Sequence, residues 1–319
     1  MTTTSRRGFM KGAGAVSAAL AVPSGLAVVP QAAEAQGRKM AGRGIEVSEF
    51  STEHYKVRHK PIQWPNNARI AVTWVVNFEG KTDATTSYDI AYTDYSCKAG
   101  FWRLLKIFED NGVKGTWYTN AIIATRYPET LKELVRLGHE IDGHNWANNI
   151  SMTTISPEDE REVIHRVFSD VEKTAGYRIP GWMGSGEAES STTMEFLVDE
   201  GQVWNGDWST DDVPYTINVN GKKVVIVPYQ RESNDTQISG RRYHPSVWLQ
   251  KFKDQFDVMY EEGATYPQYL SAATHAWILA HPAGSKAVEE AVQYAAGFPD
   301  VWNTTEVDIA KYWLKQNYD

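Results

Sequence analysis

Three ionisable side chains stand where apolar runs give out. Ala68-Arg-Ile-Ala-Val-Thr-Trp-Val-Val76 leads into Asn77-Phe-Glu79-Gly80, the stretch Gly138-His139-Glu140-Ile141-Asp142-Gly143-His144 follows a helical segment, and Leu270-Ser-Ala-Ala-Thr274 ends on His275-Ala-Trp277. A carboxylate and two imidazoles, brought together, suit hydrolysis of an amide: one group takes a proton from water while another protonates the departing nitrogen. Glu79, His144 and His275 are therefore the expected catalytic groups. Taken singly, each also fits a plainer role, because an isolated histidine is often a satisfied core or surface residue and an isolated glutamate is usually solvated.

The elements that must position them follow a strand-then-helix rhythm. The run Ala68–Val76 is β-branched and continuous, as in a strand buried on both faces. Phe101, Leu104, Leu105 and Phe108 have helical spacing, and that helix stops at Asn111-Gly112. Lys114–Tyr118 predicts a strand and Pro128–Leu137 a helix ended by Gly138. Ser156 followed by Pro157, Glu158, Asp159 and Glu160 is a helix start, with a hydroxyl cap, proline in the first turn and acids at the positive dipole end. Further units are expected at 193–200, 224–227, 247–262, 270–274, 285–296 and 305–316. Such alternation predicts a parallel sheet, most simply closed into a barrel whose site lies at the C-terminal ends of its strands.

Before that region, Ser5-Arg6-Arg7-Gly8-Phe9-Met10-Lys11 precedes a Gly/Ala-rich, weakly apolar run to about Val29, and Ala33-Glu34-Ala35 offers a cleavage site before Gln36. This is a twin-arginine export signal in form. Residues 1–35 are read as signal peptide, 36–63 as an N-terminal extension and 64–319 as one catalytic domain, with the mature protein in the periplasm or outside the cell. No stable membrane anchor is expected, since Gly, Ser and Pro interrupt a run already short for a spanning helix. The formal net charge is −8, and cleavage removes Arg6, Arg7 and Lys11 against one acid, Glu34, so nucleic acid is not the expected partner. Cys97 is the one cysteine, which excludes an internal disulfide.

The histidine stretch at 138–144 resembles the G-H-E-I-x-x-H motif of the polysaccharide-deacetylase (NodB-homology) superfamily. From about Trp64 to Trp313 the chain is similar to its metal-independent, allantoinase-like branch: at Asn77-Phe-Glu-Gly80, Tyr95-Ser-Cys-Lys-Ala-Gly100, Asp211-Asp212-Val-Pro-Tyr215, Pro228-Tyr229 with Asn234-Asp235, Phe256–Gly263 and Leu270–His275. The resemblance implies a distorted (β/α)7 barrel and hydrolysis of a non-peptide C–N bond. The substrate is then a small cyclic amide such as allantoin or an N-acetyl group on a glycan. It also implies substrate-binding roles for Asn77, Tyr95, Lys98, Asp142, Trp182, Asp207 and Asp211, and a leaving-group acid at His275.

Departures from the pattern shape the expected chemistry. Sugar deacetylases of this superfamily usually hold a divalent ion with an aspartate after the first strand and two histidines four apart. Here Gly80 follows Glu79 and Asn148 stands at the second histidine position, leaving His144 with Glu79 as a poor zinc set. Glu79 falls on either the base or the ligand position. No cofactor is the expectation, with zinc the minority alternative, so carbonyl polarisation would rest on hydrogen-bond donors or an imidazolium. Arg178-Ile-Pro-Gly-Trp182 resembles the family's arginine motif, though a Pro-Gly turn accounts for it nearly as well. His281 replaces an arginine usual in the branch, and His54, His59, His165 and His244 are read as surface residues. The 12 Trp and 16 Tyr are read mainly as core. Two classes stay open: a hydrolase, or a catalytically silent barrel that binds a small amide or oligosaccharide. Either is compatible with a homo-oligomer.

Overall fold

A computed structural model describes residues 45–46, 62–82 and 86–318. The export segment, its cleavage site, His54 and His59 lie outside the described residues. The strands are β1 (Ile45–Glu46), β2 (Ile70–Phe78), β3 (Gly115–Thr119), β4 (Glu140–Gly143), β5 (Gly181–Trp182), β6 (Trp204–Asn205), β7 (Tyr215–Val219), β8 (Lys222–Ile226), β9 (Gln268–His275) and β10 (Val301–Thr304). Besides β10, which pairs parallel with β2, seven of them run parallel in the order β9-β2-β3-β4-β5-β6-β8. This is the expected distorted seven-stranded arrangement. β9 follows one edge of β2 from Ile70 to Asn77, so the other edge is divided between β10, at Ile70–Thr73, and β3, at Trp74–Phe78. β7 adds antiparallel to β8 through Asn220-Gly221, both left-handed (φ 51° and 81°), the geometry of a type I′ hairpin. β1 in turn pairs with β7.

Among the described residues no ladder joins β8 to β9, and a side chain bridges that seam. The Gln230 amide donates to the Tyr269 carbonyl (2.7 Å) and accepts from the Ser271 backbone N–H (3.2 Å), so it acts as a one-residue strand against β9. Ser233 Oγ donates to the Ser271 carbonyl beside it.

Strand parity decides what faces where. In β2, Ile70, Val72, Trp74, Val76 and Phe78 pack outward with the helices Phe101–Asp110 and Ser246–Glu262, while Ala71 and Val75 join the interior cluster. The same alternation sends Leu270 and Ala272 of β9 outward and Tyr269 and Ala273 inward. It also turns His275, the last residue of β9, and Glu79, one residue past β2, towards the interior, and His144 shares the parity of Glu140 and Asp142. The long helix Pro157–Ala175 is capped by Ser156, which accepts from Asp159 N–H, as its sequence predicts. At the opposite end, Trp64, Trp302, Tyr312 and Trp313 pack together, with Trp64 Nε1 donating to the carbonyl of Gln268, the first residue of β9. Above this plug Glu306 accepts from Tyr118 and Tyr269.

Candidate active site

Glu79, His144 and His275 come from three strand ends and meet at the C-terminal face of the sheet. Glu79 Oε1 lies 3.5 Å from His144 Nε2 and 3.8 Å from His275 Nε2. The other oxygen, Oε2, accepts from Trp277 Nε1 (2.6 Å) and from the Tyr92 hydroxyl. Tyr92 and Trp277 pack against each other, ring centroids 4.4 Å apart. Two donors thus fix the carboxylate through Oε2, and Oε1 is left facing the imidazoles. Burial opposes the Glu79 charge, but His275, His144 and the Tyr92 hydroxyl outweigh it and hold the carboxyl down at about 2.

Each histidine is oriented through Nδ1. His275 Nδ1 is 2.6 Å from Asp235 Oδ1, while Asp235 Oδ2 accepts the His275 backbone N–H at 2.9 Å. That grip turns Nε2 towards Glu79. Burial disfavours the His275 charge, yet the carboxylates of Asp235 and Glu79 prevail and raise its pKa above the ordinary histidine value. His144 Nδ1 lies 2.5 Å from the Met183 carbonyl, which can only accept, so Nδ1 carries the proton. Its Nε2 is buried without a hydrogen-bond partner. Asn120 Nδ2 and Ser185 Oγ both donate to the His144 carbonyl and fix the backbone there.

The other residues expected at the site divide. Asn77 stands beside the cluster, its amide donating to Tyr229 OH (3.0 Å) and to the Thr274 carbonyl (3.1 Å), so it ties β2 to β9 just below the catalytic groups. Asp207, past the end of β6, accepts from Gly184 N–H at 2.8 Å, while its Oδ1 has no partner. Burial and the neighbouring Glu189 raise its pKa well above the carboxylate range. Asp142 is fully buried deeper in the barrel, where burial and the Glu140 carboxyl raise its pKa strongly. Trp182 stacks on Phe168 behind the sheet. Tyr95 stacks on His281 at 3.8 Å and receives Arg103 Nη1 at 2.7 Å, and Lys98 pairs with Asp94 on an exposed helix face. Asp211 receives the Asp212 N–H in a surface loop. The bonds and ring contacts described for Trp182, Tyr95 and Lys98 thus lie outside the cluster of Glu79, His144 and His275. Arg178 binds Glu172 and Glu200 on the outer surface. His139, first in the histidine stretch, accepts from Gly115 N–H through Nδ1 and faces Glu109 through Nε2, a structural role between strand and helix.

Sequence reasoning assigns no role to Tyr92, Trp277 and Asp235. Asp235 and Trp277 lie in or beside stretches that carry the family resemblance, but only the folded chain shows what they grip. Tyr92 carries no signal beyond being one tyrosine among many.

The divalent ion implied by the resemblance can be tested against these donors. His144 Nε2 and Glu79 Oε1 supply two. Gly80 offers none, and a ligand side chain there would have to displace Ile122, whose Cγ2 a Cβ would approach to 2.9 Å. Asn148 brings an amide next to the Tyr92 hydroxyl in place of an imidazole. Among the described residues no group of three or more His, Cys, Asp or Glu is arranged to hold a metal ion. The donor set does not fit a three-ligand cage.

Comparison with known proteins agrees with this architecture. Residues 79–198 match the family model described as polysaccharide deacetylase, and residues 3–23 match the TAT (twin-arginine translocation) pathway signal sequence. A putative polysaccharide deacetylase of Schizosaccharomyces pombe is 24% identical over 80% of this chain and 94% of its own. The crystal structure of a probable polysaccharide deacetylase from Pseudomonas aeruginosa is similar with a TM-score of 0.75 and 29% identity, covering 81% of this chain and 96% of that one. The crystal structure of Puue allantoinase is similar with a TM-score of 0.74 and 27% identity, over 81% and 95%. The N-terminus is thus an export signal, and no helix among the described residues is long and apolar enough to cross a membrane.

Proposed function

We propose that this chain, whose residues 79–198 match the polysaccharide deacetylase model, is an exported hydrolase that opens a small cyclic amide without a metal ion. Residues 1–35 serve as its signal and 64–319 as its catalytic domain. The observation that carries this reading is Glu79 Oε1 facing two imidazole nitrogens, one of them backed by Asp235.

Water binds between Glu79 Oε1 and His144 Nε2, donating a hydrogen to each, and turns its lone pair to the amide carbonyl. As the C–O bond forms, the proton leaving the water passes to Glu79. The C–N bond then breaks while His275 Nε2 delivers its proton to the nitrogen. Glu79 is left protonated and His275 neutral, and transfer across the 3.8 Å between them restores both. In place of a Lewis acid, the developing oxyanion is stabilised by the imidazolium of His275, and Asp207, whose raised pKa favours the protonated, hydrogen-bond-donating carboxyl, is the foremost substrate contact at the mouth.

The burial of the reacting groups favours a small substrate. Glu79 and His275 are 5% exposed and His144 1%, so a molecule must fit almost wholly inside to reach them. The likeness to Puue allantoinase supports the same choice. An N-acetyl-glycan deacetylase is the second reading, supported by the family match and by export. The decisive experiment incubates the purified mature protein with cyclic ureides and imides and, separately, with acetylated glycans. Ring opening without acetate release is expected; acetate release alone would replace the first reading with the second, and neither product would leave a silent binding barrel. Elemental analysis of the same preparation should find no stoichiometric transition metal. One equivalent of zinc, retained on dialysis and lost in His144→Ala, would overturn the metal-free chemistry.

A further inference from the structure

Two loops at the barrel mouth hold the two histidines. The loop after β5 supplies the Met183 carbonyl and the Ser185 hydroxyl, both bonded to His144. The loop after β8 runs from Gln230 to Asp235, which grips His275. Its inner side is pinned to β9 by Gln230 and Ser233. The two loops are joined by one ion pair. Arg231 places Nε and Nη2 on Glu187 Oε2.

Three features set this pair apart from an ordinary surface bridge. The arginine side chain is 69% exposed, but the Glu187 side chain is only 8% exposed, so the carboxylate is turned in from the surface. Glu187 is left-handed (φ 52°), directly after left-handed Gly186 (φ 72°). A non-glycine residue rarely adopts that region and persists there only where the surroundings enforce it. Here the reversed turn is what directs the Glu187 side chain across the mouth. The pair is also near enough to the buried Asp207 and Tyr229 to perturb their ionisation.

We propose that Glu187 and Arg231 are positioning residues: their ion pair straps the loop that orients His144 to the loop that orients His275, and so sets the spacing of the two imidazoles about Glu79. Nothing in the reaction requires either side chain to touch the substrate. The catalytic consequence rests on the hydrolase reading, whereas the mechanical one does not, and the test keeps them apart.

Arg231→Met and Glu187→Gln are made in the full mature chain. Hydrogen exchange followed by mass spectrometry should show faster exchange in both 183–189 and 230–235 in each variant, with the outer helices unchanged. On whichever amide the wild-type protein hydrolyses, kcat should fall roughly ten- to hundredfold with KM little altered, the size of effect expected when catalytic groups are displaced by a fraction of an ångström to 1 Å. Arg231→Lys, which keeps the charge, should recover most of that loss, and high salt should lower kcat in the wild type but not in Arg231→Met, because it screens a half-exposed pair. Unchanged exchange in either loop would overturn the strap. So would wild-type kcat in Arg231→Met, or a loss that Arg231→Lys does not relieve. If the wild-type protein hydrolyses no amide, the hydrolase reading falls while the exchange data still decide the strap.

Discussion

The two oxygens of Glu79 have different duties: Oε2 is held by Tyr92 and Trp277, and Oε1 faces both imidazoles. His275 is the complement, with one ring nitrogen held by Asp235 and the other presented to the site. If it delivers the proton, His275→Ala should lose roughly a hundred- to ten-thousandfold in kcat, the range for a positioned general acid. Because the variant also strands the buried Asp235 carboxylate, its melting temperature should fall, so turnover is compared below that temperature on folded protein, and normal turnover there would refute the assignment. The pH profile follows from the sign of the His275 shift. Its folded pKa lies above the 6.5 of an unperturbed histidine, so the imidazolium, together with the stability drawn from its partners, is fully present below 6.5 and is lost as pH rises through the folded value. Activity should therefore show an alkaline limb there. Asp235→Asn removes the larger of the two charges that raise it, so the limb should move to lower pH in a kcat profile. An unmoved limb would assign the titration to another group.

The helix Ser87–Tyr95 brings Tyr92 to Glu79, and its placement depends on a π turn, Ser96–Gly100, that joins it to Phe101–Asp110. Such turns often occur where a helix must be re-aimed at a site. The approach is close: a Cβ on Gly100 would lie 2.3 Å from the Ala276 carbonyl oxygen, in the residue between His275 and Trp277. Backbone cannot yield there as a flexible side chain would. Gly100→Ala should push the helix from the mouth, costing about 1–3 kcal/mol by denaturant unfolding, as overpacking generally does. It should also weaken catalysis by disturbing both donors to Glu79 Oε2. A variant with native stability and turnover would show that the contact is not rigid. This segment lies within the stretch Tyr95–Gly100 that carries the family resemblance, yet the reason for its glycine is visible only across the gap to β9.

Across the whole barrel, the interior is unusually acidic. Glu140, Asp142 and Glu306 are all buried among Thr73, Thr116, Tyr118, Trp204 and Tyr269. Burial, and then the Glu140 charge, push Glu306 up to about 8 from 4.5. A carboxyl with a raised folded pKa reverses the usual acid linkage: between those two values the native state keeps a proton that the unfolded chain has released, so stability falls as pH rises across that window. Glu306→Gln, which imitates the protonated acid, should make the melting temperature less dependent on pH across the same window. Glu140 and Asp142 act in the same direction, so some dependence should remain. An unchanged dependence would mean that Glu306 does not carry the proton. By itself the sequence determined the long elements and the three catalytic candidates, because continuous apolar runs, helix caps and the polar residues that end those runs are local properties of the chain. Only the tertiary structure decided the partners. Strands of two residues, such as Gly181–Trp182 and Trp204–Asn205, have no periodicity to read. Asp235 on His275 and Arg231 on Glu187 join positions 40 and 44 residues apart, and that pairing is set by closure of the barrel, which no local pattern encodes.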